Sequence, residues 1–219
     1  MEDDQGGEGD KVKVVVTAGP TREYIDPVRF LSNPSTGKMG FAVAAEAARR
    51  GFDVTLVAGP VHLKTPPGVK RVDVVSAREM FRETSRAVSG ADALVAAAAV
   101  ADWRPARFSR RKLKKHETDG VLRLVRNPDI LKSVRVPIKI GFAAETGDAV
   151  AEASRKCREK RLAMIVANDV TEKGSGFGTD TDRVTFVFPD GRRRDLPLTT
   201  KRAVARRIVD ELEAFLRPI

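Results

Sequence analysis

Apolar and polar residues change period several times along this chain, and the changes mark out strands alternating with helices. Val12 to Thr17 is a short β-branched run that ends on Ala18-Gly19-Pro20, the pattern of a buried strand emptying into a loop. The stretch TREYIDPVRFLSNPST that follows carries charges and two prolines without a sustained period, so it reads as a connection. A helical period takes over at Gly37-Lys38-Met39-Gly40, with Phe41, Ala44, Ala45 and Ala48 on one face and Gly51 as the stop. Asp53 to Val57 predicts a second strand and Arg71 to Val75 a third. Ala77 to Val88 predicts a helix capped by Ser76, and Asp92 to Val100 a fourth strand.

The pattern breaks between Trp103 and Arg126, where the basic ARFSRRKLKKHETDG precedes an alternating VLRLVR; an extended arm or hairpin, a flap, is expected there. Asn127-Pro128-Asp129-Ile130 opens a short helix, Pro137 to Phe142 is a fifth strand, Asp148 to Arg161 a helix and Leu162 to Ala167 a sixth strand. The Gly-rich turn KGSGFGTDTD leads into Arg183 to Phe188 and a hairpin through Asp190-Gly191, and Thr200 opens a last amphipathic helix to Leu216. There are no internal repeats. Such alternation implies an α/β fold, a doubly wound, mostly parallel sheet with a protruding basic flap. One domain is expected over residues 11–219, behind an acidic, Gly-rich tail at 1–10 that reads as disordered or as a linker.

Composition narrows the class. With 219 residues, 42% of them hydrophobic, the chain can bury one sizeable core. Its single cysteine, Cys157, forms no internal disulfide, and no Cys/His cluster has zinc spacing, so a reducing compartment is expected. The longest apolar run, Ala93 to Ala101, falls far short of the roughly 20 residues a membrane helix needs. The start MEDDQGGEGD has no signal-peptide pattern, and a cytoplasmic protein without a membrane partner is expected. The net charge of +10 admits three readings: a nucleic-acid binder, an Arg-rich solvated surface, or a site gathering phosphates and a carboxylate. Composition alone does not choose among them.

In a doubly wound sheet, ligands bind beyond the carboxyl ends of the strands, where strand order reverses. Gly19, Gly37 and Gly40 offer close backbone approach there, and the helix beginning near Gly37 offers free N–H groups to phosphate; serving only tight turns and packing is the alternative. A dinucleotide fingerprint is missing, because its glycines should follow the strand directly and none lies between Gly19 and Gly37. Strand two ends on Val57-Ala58-Gly59 without the carboxylate that holds a ribose, and Tyr24 is followed at four residues by Val28 rather than a lysine. A P-loop fails as well, since Met39 follows Gly37-Lys38. The run Ala96 to Ala99 lets a ligand lie against backbone or simply packs tightly, and Asp102 falls near the ligand end. Lys112 and Lys114 would share a face of an extended flap, with Lys115 turned away; solvated charge is the bland alternative. Lys156 and Lys160 stand at i,i+4 on one predicted helix, with Glu152 and Glu159 near enough to offset their repulsion. Phe142, in GFAAET, would stack on a base or fill core, and Asn168-Asp169 follows strand six at the same rim. His62 and His116 belong to no constellation, and Cys157 reads as inert.

The stretches TAGPTREYIDPVRFLSNPSTGKMG, AAAVADW, KLKK, NPDI, GFAAET and VANDV stand in one order and spacing from Lys11 to about Asp210. In this the chain resembles the phosphopantothenate–cysteine ligase family, often the C-terminal half of a bifunctional flavoprotein. The resemblance implies a Rossmann-like fold, a homodimer formed through the flap, and use of Mg²⁺ with CTP, ATP being the other candidate nucleotide; the metal ligands are not implied. It implies 4'-phosphopantothenate and L-cysteine as substrates and a decarboxylase partner domain or protein, which the residues before Lys11 do not supply. By motif matching, Asn33 and Arg29 would act in converting an acyl-nucleotidylate to product, and Lys112 would contact the triphosphate. Nucleotide contacts would fall on Ser35, Gly37, Gly40, Ala96, Ala97, Ala98, Asp102, Asn127, Pro128, Asp129, Ile130, Phe142, Lys156 and Lys160. Phosphopantothenate contacts would fall on Asn33, Ala98, Ala99 and Asp102. The chain departs from the family at Pro20, which excludes a positive φ there, at Pro34, which holds Asn33 extended, and at Trp103, where Tyr or Phe is usual.

Two rivals remain in view. An NAD(P)-dependent reductase or epimerase on a similar sheet lacks its strand-two carboxylate and Tyr–Lys pair here. A nucleic-acid-binding module using the basic flap predicts strongly salt-dependent binding and leaves the ordered motifs unexplained.

Overall fold

The computed structural model describes residues 11–117, 119–145 and 149–217. The tail at 1–10, Thr146 of the GFAAET motif and Asp148, where the helix to Arg161 was expected to start, lie outside the described residues.

Eight strands form one sheet: β1 (Lys13–Ala18), β4 (Asp53–Ala58), β5 (Val69–Asp73), β6 (Ala93–Ala96), β9 (Ile138–Glu145), β10 (Met164–Asp169), β11 (Thr181–Val187) and β12 (Arg193–Thr200). Their order is β12-β11-β10-β9-β6-β1-β4-β5. All neighbours from β5 to β10 are parallel, and β11 and β12 add an antiparallel edge. Two hairpins stand apart from it: β2 (Arg22–Tyr24) with β3 (Phe30–Ser32), and β7 (Trp103–Pro105) with β8 (Leu124–Arg126). The helices are α1 (Lys38–Arg49), α2 (Ala77–Ala87), α3 (Ile130–Ser133), α4 (Ala149–Glu159) and α5 (Lys201–Leu216).

Strands buried on both faces need apolar residues at consecutive positions, which is why β1 reads as an unbroken run. Val14, Val16 and Ala18 face a core that includes Phe41, Val43 and Ala44 of α1 and Ile208 and Leu212 of α5. Val15 points the other way, toward Met80 of α2 and Ile130 of α3. Farther along that second face, Ala153 and Cys157 of α4 cover Ile165 and Val187. Strand order reverses between β1 and β6, so the loops leaving those two strands open onto the same crevice.

Several boundaries move from those expected. The third strand begins at Val69 rather than Arg71, and regular pairing of the fourth stops at Ala96, although Ala97 and Ala99 still donate to Thr17 and Gly19 carbonyls. The connection after β1 contains a hairpin, β2–β3, because the Asp26-Pro27 turn folds two short arms onto each other despite their lack of periodicity. The flap is a hairpin at its base only. Lys112 and Lys114 lie in irregular chain and Lys115 opens a 3-10 turn, so strand alternation does not order their faces. Helix α4 ends at Glu159, which puts Lys160 on the turn that follows instead of on the helix. Among the described residues no helix is long and apolar enough to cross a membrane.

Candidate active site

Three of the helix N-termini are capped by their own side chains: Ser76 and Glu79 form a capping box on α2, Asp129 caps α3 and Thr200 caps α5. Helix α1 differs. Its N-cap is Gly37 at φ 77°, with no side-chain cap among the described residues, so its first-turn N–H groups face a cleft. Gly40 lets that helix sit against β1, since a Cβ there would lie 2.5 Å from the Ala18 Cβ and 2.9 Å from the Thr17 carbonyl oxygen.

The cleft has a volume of about 340 Å³. One wall is the α1 end with Asn33, Ser35, Gly37 and Gly40; the floor is Ala97, Ala98 and Ala99 with Asp102; Phe142 and Lys156 close the far side. An adjoining cavity of about 240 Å³ shares Ala98, Asp102, Phe142 and Lys156 and extends over Ala96, Asn127, Pro128, Asp129, Ile130 and Lys160. Residues from segments far apart in sequence, Thr17 to Lys201, thus line two adjoining cavities at the switch point.

The alanine floor is held open by side chains beneath and beside it. Thr17 Oγ1 accepts from the Ala98 N–H (3.2 Å) and Thr21 Oγ1 from the Ala101 N–H (3.0 Å). Asn127 Nδ2 donates to the Ala101 carbonyl (2.9 Å). Asn33 Nδ2 donates to the carbonyls of Ala99 (3.1 Å) and Val100 (3.3 Å). Both partners are acceptors, which dictates the orientation of the amide and leaves its oxygen for a donor.

The cations around the hollow are poised by carboxylates. Lys156 Nζ lies 2.6 Å from Glu145 and 3.4 Å from Glu152; burial lowers its pKa, but the Glu145 hydrogen bond and the two negative charges outweigh that and raise it. Lys160 Nζ lies 2.8 Å from Asp129, whose carboxyl burial raises, yet whose bonds from Lys160 and the Lys132 N–H bring it below the ordinary value. Glu152 therefore offsets Lys156 as expected, whereas Glu159 pairs with Arg155 and with neither lysine. Two acceptors, the carbonyls of Leu131 and Lys160, hold the half-buried Lys139 Nζ beneath this turn.

A further arc of residues completes the site, of which only Glu145 and Asn168 stand at strand ends expected to face the ligand. Lys38, Glu145, Asn168, Gly176, Phe177, Asp182 and Lys201 also line the cleft. Lys201 is buried, which lowers its pKa, and donates to the Gly176 carbonyl (2.7 Å). Asp182 accepts from Asn168, Ser175 and the Gly176 N–H, and Lys38 spans to Asp180 (2.7 Å) and the Gly178 carbonyl (3.2 Å). This network gives the Gly-rich turn after β10 a definite shape and presents Phe177 at the lip. The turn itself was visible in the sequence, and its proximity to α1 was not.

Two of the expected catalytic residues line neither cavity. Arg29 is bound to Asp26 and to the Leu113 carbonyl on the flap, and Lys112 is exposed beside that contact. Among the described residues no group of three His, Cys, Asp or Glu side chains converges as a metal cage.

The chain matches the model of the DNA/pantothenate metabolism flavoprotein C-terminal domain over residues 10–216. It is 44% identical over 209 residues to the coenzyme A biosynthesis bifunctional protein CoaBC of Escherichia coli K12, which covers 92% of this chain and 51% of that protein. The chain spans about half the length of the curated relatives it matches. Its fold is similar to the crystal structure of the C-terminal domain of CoaBC, with TM-score 0.79 and 40% identity, covering 94% of this chain and 95% of that one. A Cab2 mutant in complex with phosphopantothenate-cysteine shares the fold, with TM-score 0.75 at 14% identity, covering 94% of this chain and 87% of that one.

Proposed function

Since this chain belongs to the family of DNA/pantothenate metabolism flavoprotein C-terminal domains, we propose that it joins 4'-phosphopantothenate to L-cysteine, with CTP as the activating nucleotide. One observation carries the reading. The uncapped end of α1, the exposed alanine backbone and the cations Lys38, Lys156 and Lys201 surround the same hollow as Asn33 and Asp102. An anionic nucleotide and a second, acid-bearing substrate would fit side by side there.

A free carboxylate does not acylate an amine, because its leaving group is oxide. In the first step a carboxylate oxygen of phosphopantothenate attacks the α-phosphorus of CTP, and pyrophosphate leaves. The cysteine amine then attacks the acyl carbonyl of the mixed anhydride, loses a proton, and CMP departs. Neither step calls for an enzyme nucleophile, so the work is positioning and charge stabilisation. The α1 N–H groups and Lys156 would hold phosphate oxygens, and Phe142 would lie against the base. The Asn33 oxygen, left free by its two backbone contacts, would accept from the incoming amine. Lys112 would add positive charge from the flap, and Arg29 would act through its hold on that flap.

Mg²⁺, when bound, would reduce the charge of the triphosphate. The donor set fits an ion carried mainly by phosphates and water, with Asp102 the carboxylate shared by both cavities. The proposed unit is one synthetase domain over residues 11–219, cytoplasmic, working as a homodimer beside a decarboxylase domain or protein.

The test is to mix the protein with phosphopantothenate, L-cysteine, Mg²⁺ and each of CTP, ATP, GTP and UTP, and to follow pyrophosphate and the ligated product by mass. CTP is expected to support the fastest release. Failure of all four nucleotides to release pyrophosphate would overturn the reading.

A further inference from the structure

The tip of the β2–β3 hairpin grips the flap. Asp26 at that tip has a side chain with no solvent exposure. Its Oδ1 accepts from the Val28 and Arg29 N–H groups, both at 2.9 Å. Its Oδ2 accepts from the Arg29 guanidinium through Nε (3.0 Å) and Nη2, and from the Leu113 N–H on the flap (3.2 Å). Arg29 Nη2 donates in turn to the Leu113 carbonyl (3.0 Å). One ion pair therefore holds both backbone groups of a single flap residue, and a second contact, Ser109 N–H to the Ile25 carbonyl (2.9 Å), ties the flap to the same tip.

Only a carboxylate suits this point. Every group turned toward it is a donor, and an amide of the same shape would set its own N–H groups against the guanidinium or the Leu113 N–H. A charged acceptor with this many donors is also among the stronger of protein hydrogen-bonding arrangements. The residue so held is the immediate neighbour of Lys112, one of several exposed cations of the flap.

We propose that Asp26 is a positioning residue for the first half of the reaction: through Leu113 it fixes the point on the flap from which Lys112 reaches the triphosphate. This rests on the ligase reading above. Asp26 touches neither cavity, so its influence on chemistry passes through the flap.

The experiment has two arms on the full chain. In the first, trypsin is added to native protein and cleavage between Arg110 and Lys115 is timed by mass spectrometry. Asp26→Asn is expected to speed it about fivefold or more, as a local opening equilibrium shifts. In the second, pyrophosphate release from CTP and phosphopantothenate is measured without cysteine. Asp26→Asn is expected to lower the rate constant of the single-turnover pyrophosphate burst about tenfold with its half-saturating phosphopantothenate concentration little changed, and to add nothing further in a Lys112→Gln background. A residue important only for folding would instead multiply the Lys112→Gln loss, and that result, or unchanged cleavage of the flap, overturns the proposal. Should Asp26→Asn fail to fold, Leu113→Pro removes the flap's donor while leaving the hairpin intact, and is expected to give the same two results, cleavage being timed at flap sites other than Lys112 because trypsin does not cut before proline. If wild-type protein releases no pyrophosphate, the ligase reading falls, and the trypsin arm separately judges whether Asp26 holds the flap.

Discussion

Asn33 shows how much a single side chain can be asked to do. Pro34 keeps its backbone extended, and both amide protons are spent on the Ala99 and Val100 carbonyls, so the residue shapes the alanine floor and presents one oxygen. Asn33→Asp would face two carbonyls with a carboxylate. Pyrophosphate release is expected to continue while acyl-cytidylate accumulates, with ligation slowed at least about tenfold; quenched-flow mass spectrometry checks this, and normal ligation would remove Asn33 from the second step. Gly40 is the other telling residue, because it sets the distance between the phosphate-facing helix and the sheet. Gly40→Ala must push α1 off Ala18, and is expected to cost about 2 kcal/mol in denaturant unfolding, in the range for overpacked cores, and to weaken nucleotide binding. A variant as stable as wild type would show that α1 moves freely. Glycines, the alanine run and Asp102 were all visible in the sequence as candidates. What they surround was not, since Lys38 reads only as part of a helix start, and Phe177 and Lys201 carry no ligand-facing signal of their own.

Between elements, a polar network around Arg50 adds to the packing of α1. Its guanidinium reaches Glu46 (3.0 Å) on α1 and Asp210 (2.6 Å) and Glu213 (2.8 Å) on α5, so the helix that faces the cleft is tied to the last helix of the chain. Arg50→Ala would leave three carboxylates clustered, and is expected to cost about 2 kcal/mol, between exposed pairs and fully buried ones. Unfolding in urea checks it, and a loss under about 0.5 kcal/mol would make the network ornamental. The network also sets an acid limit. Hydrogen bonding to Arg49, opposed by burial and reinforced by Arg50, lowers the Glu46 pKa from 4.5 to about 2. A carboxyl depressed in the folded state stabilises fully above its unfolded pKa, and that contribution is lost as pH falls from about 5 toward 2. Glu46→Gln should accordingly be less stable than wild type at pH 7, and the gap should close by pH 2 in a urea series; a gap independent of pH would contradict it. At this scale the strands and capped helices followed from apolar runs and from Ser76 and Thr200. The β2–β3 hairpin did not, because its arms are short and pair with each other rather than bury a periodic face.

For the molecule as a whole, the flap leaves apolar surface uncovered: Trp103, Phe108, Val121, Leu122 and Leu124 are all exposed, and Val28 and Phe30 on the neighbouring hairpin are as well. Apolar side chains gathered on a basic arm are suited to a partner surface, and a second copy of this chain is the expected partner. Sedimentation equilibrium is expected to give a dimer, and Phe108→Glu with Val121→Glu to give a monomer; a monomeric wild type would exclude it. The flap was recognisable because composition changes sharply at Trp103. The latch on Asp26 was not, since two stretches more than eighty residues apart meet there.

Local chemistry along the chain was enough to specify an α/β alternation, its helix caps, the break at the flap and the small-residue loops at the strand ends, because these depend on neighbours within a few positions. Tertiary structure alone decided that Arg29 and Lys112 stand outside the hollow while Lys201 and Phe177 stand at it, and that Lys156 and Lys160 have the carboxylate partners Glu145 and Asp129 from other segments. Those outcomes depend on strand order and on side chains converging from distant segments, and no periodicity within a segment encodes where another segment will lie.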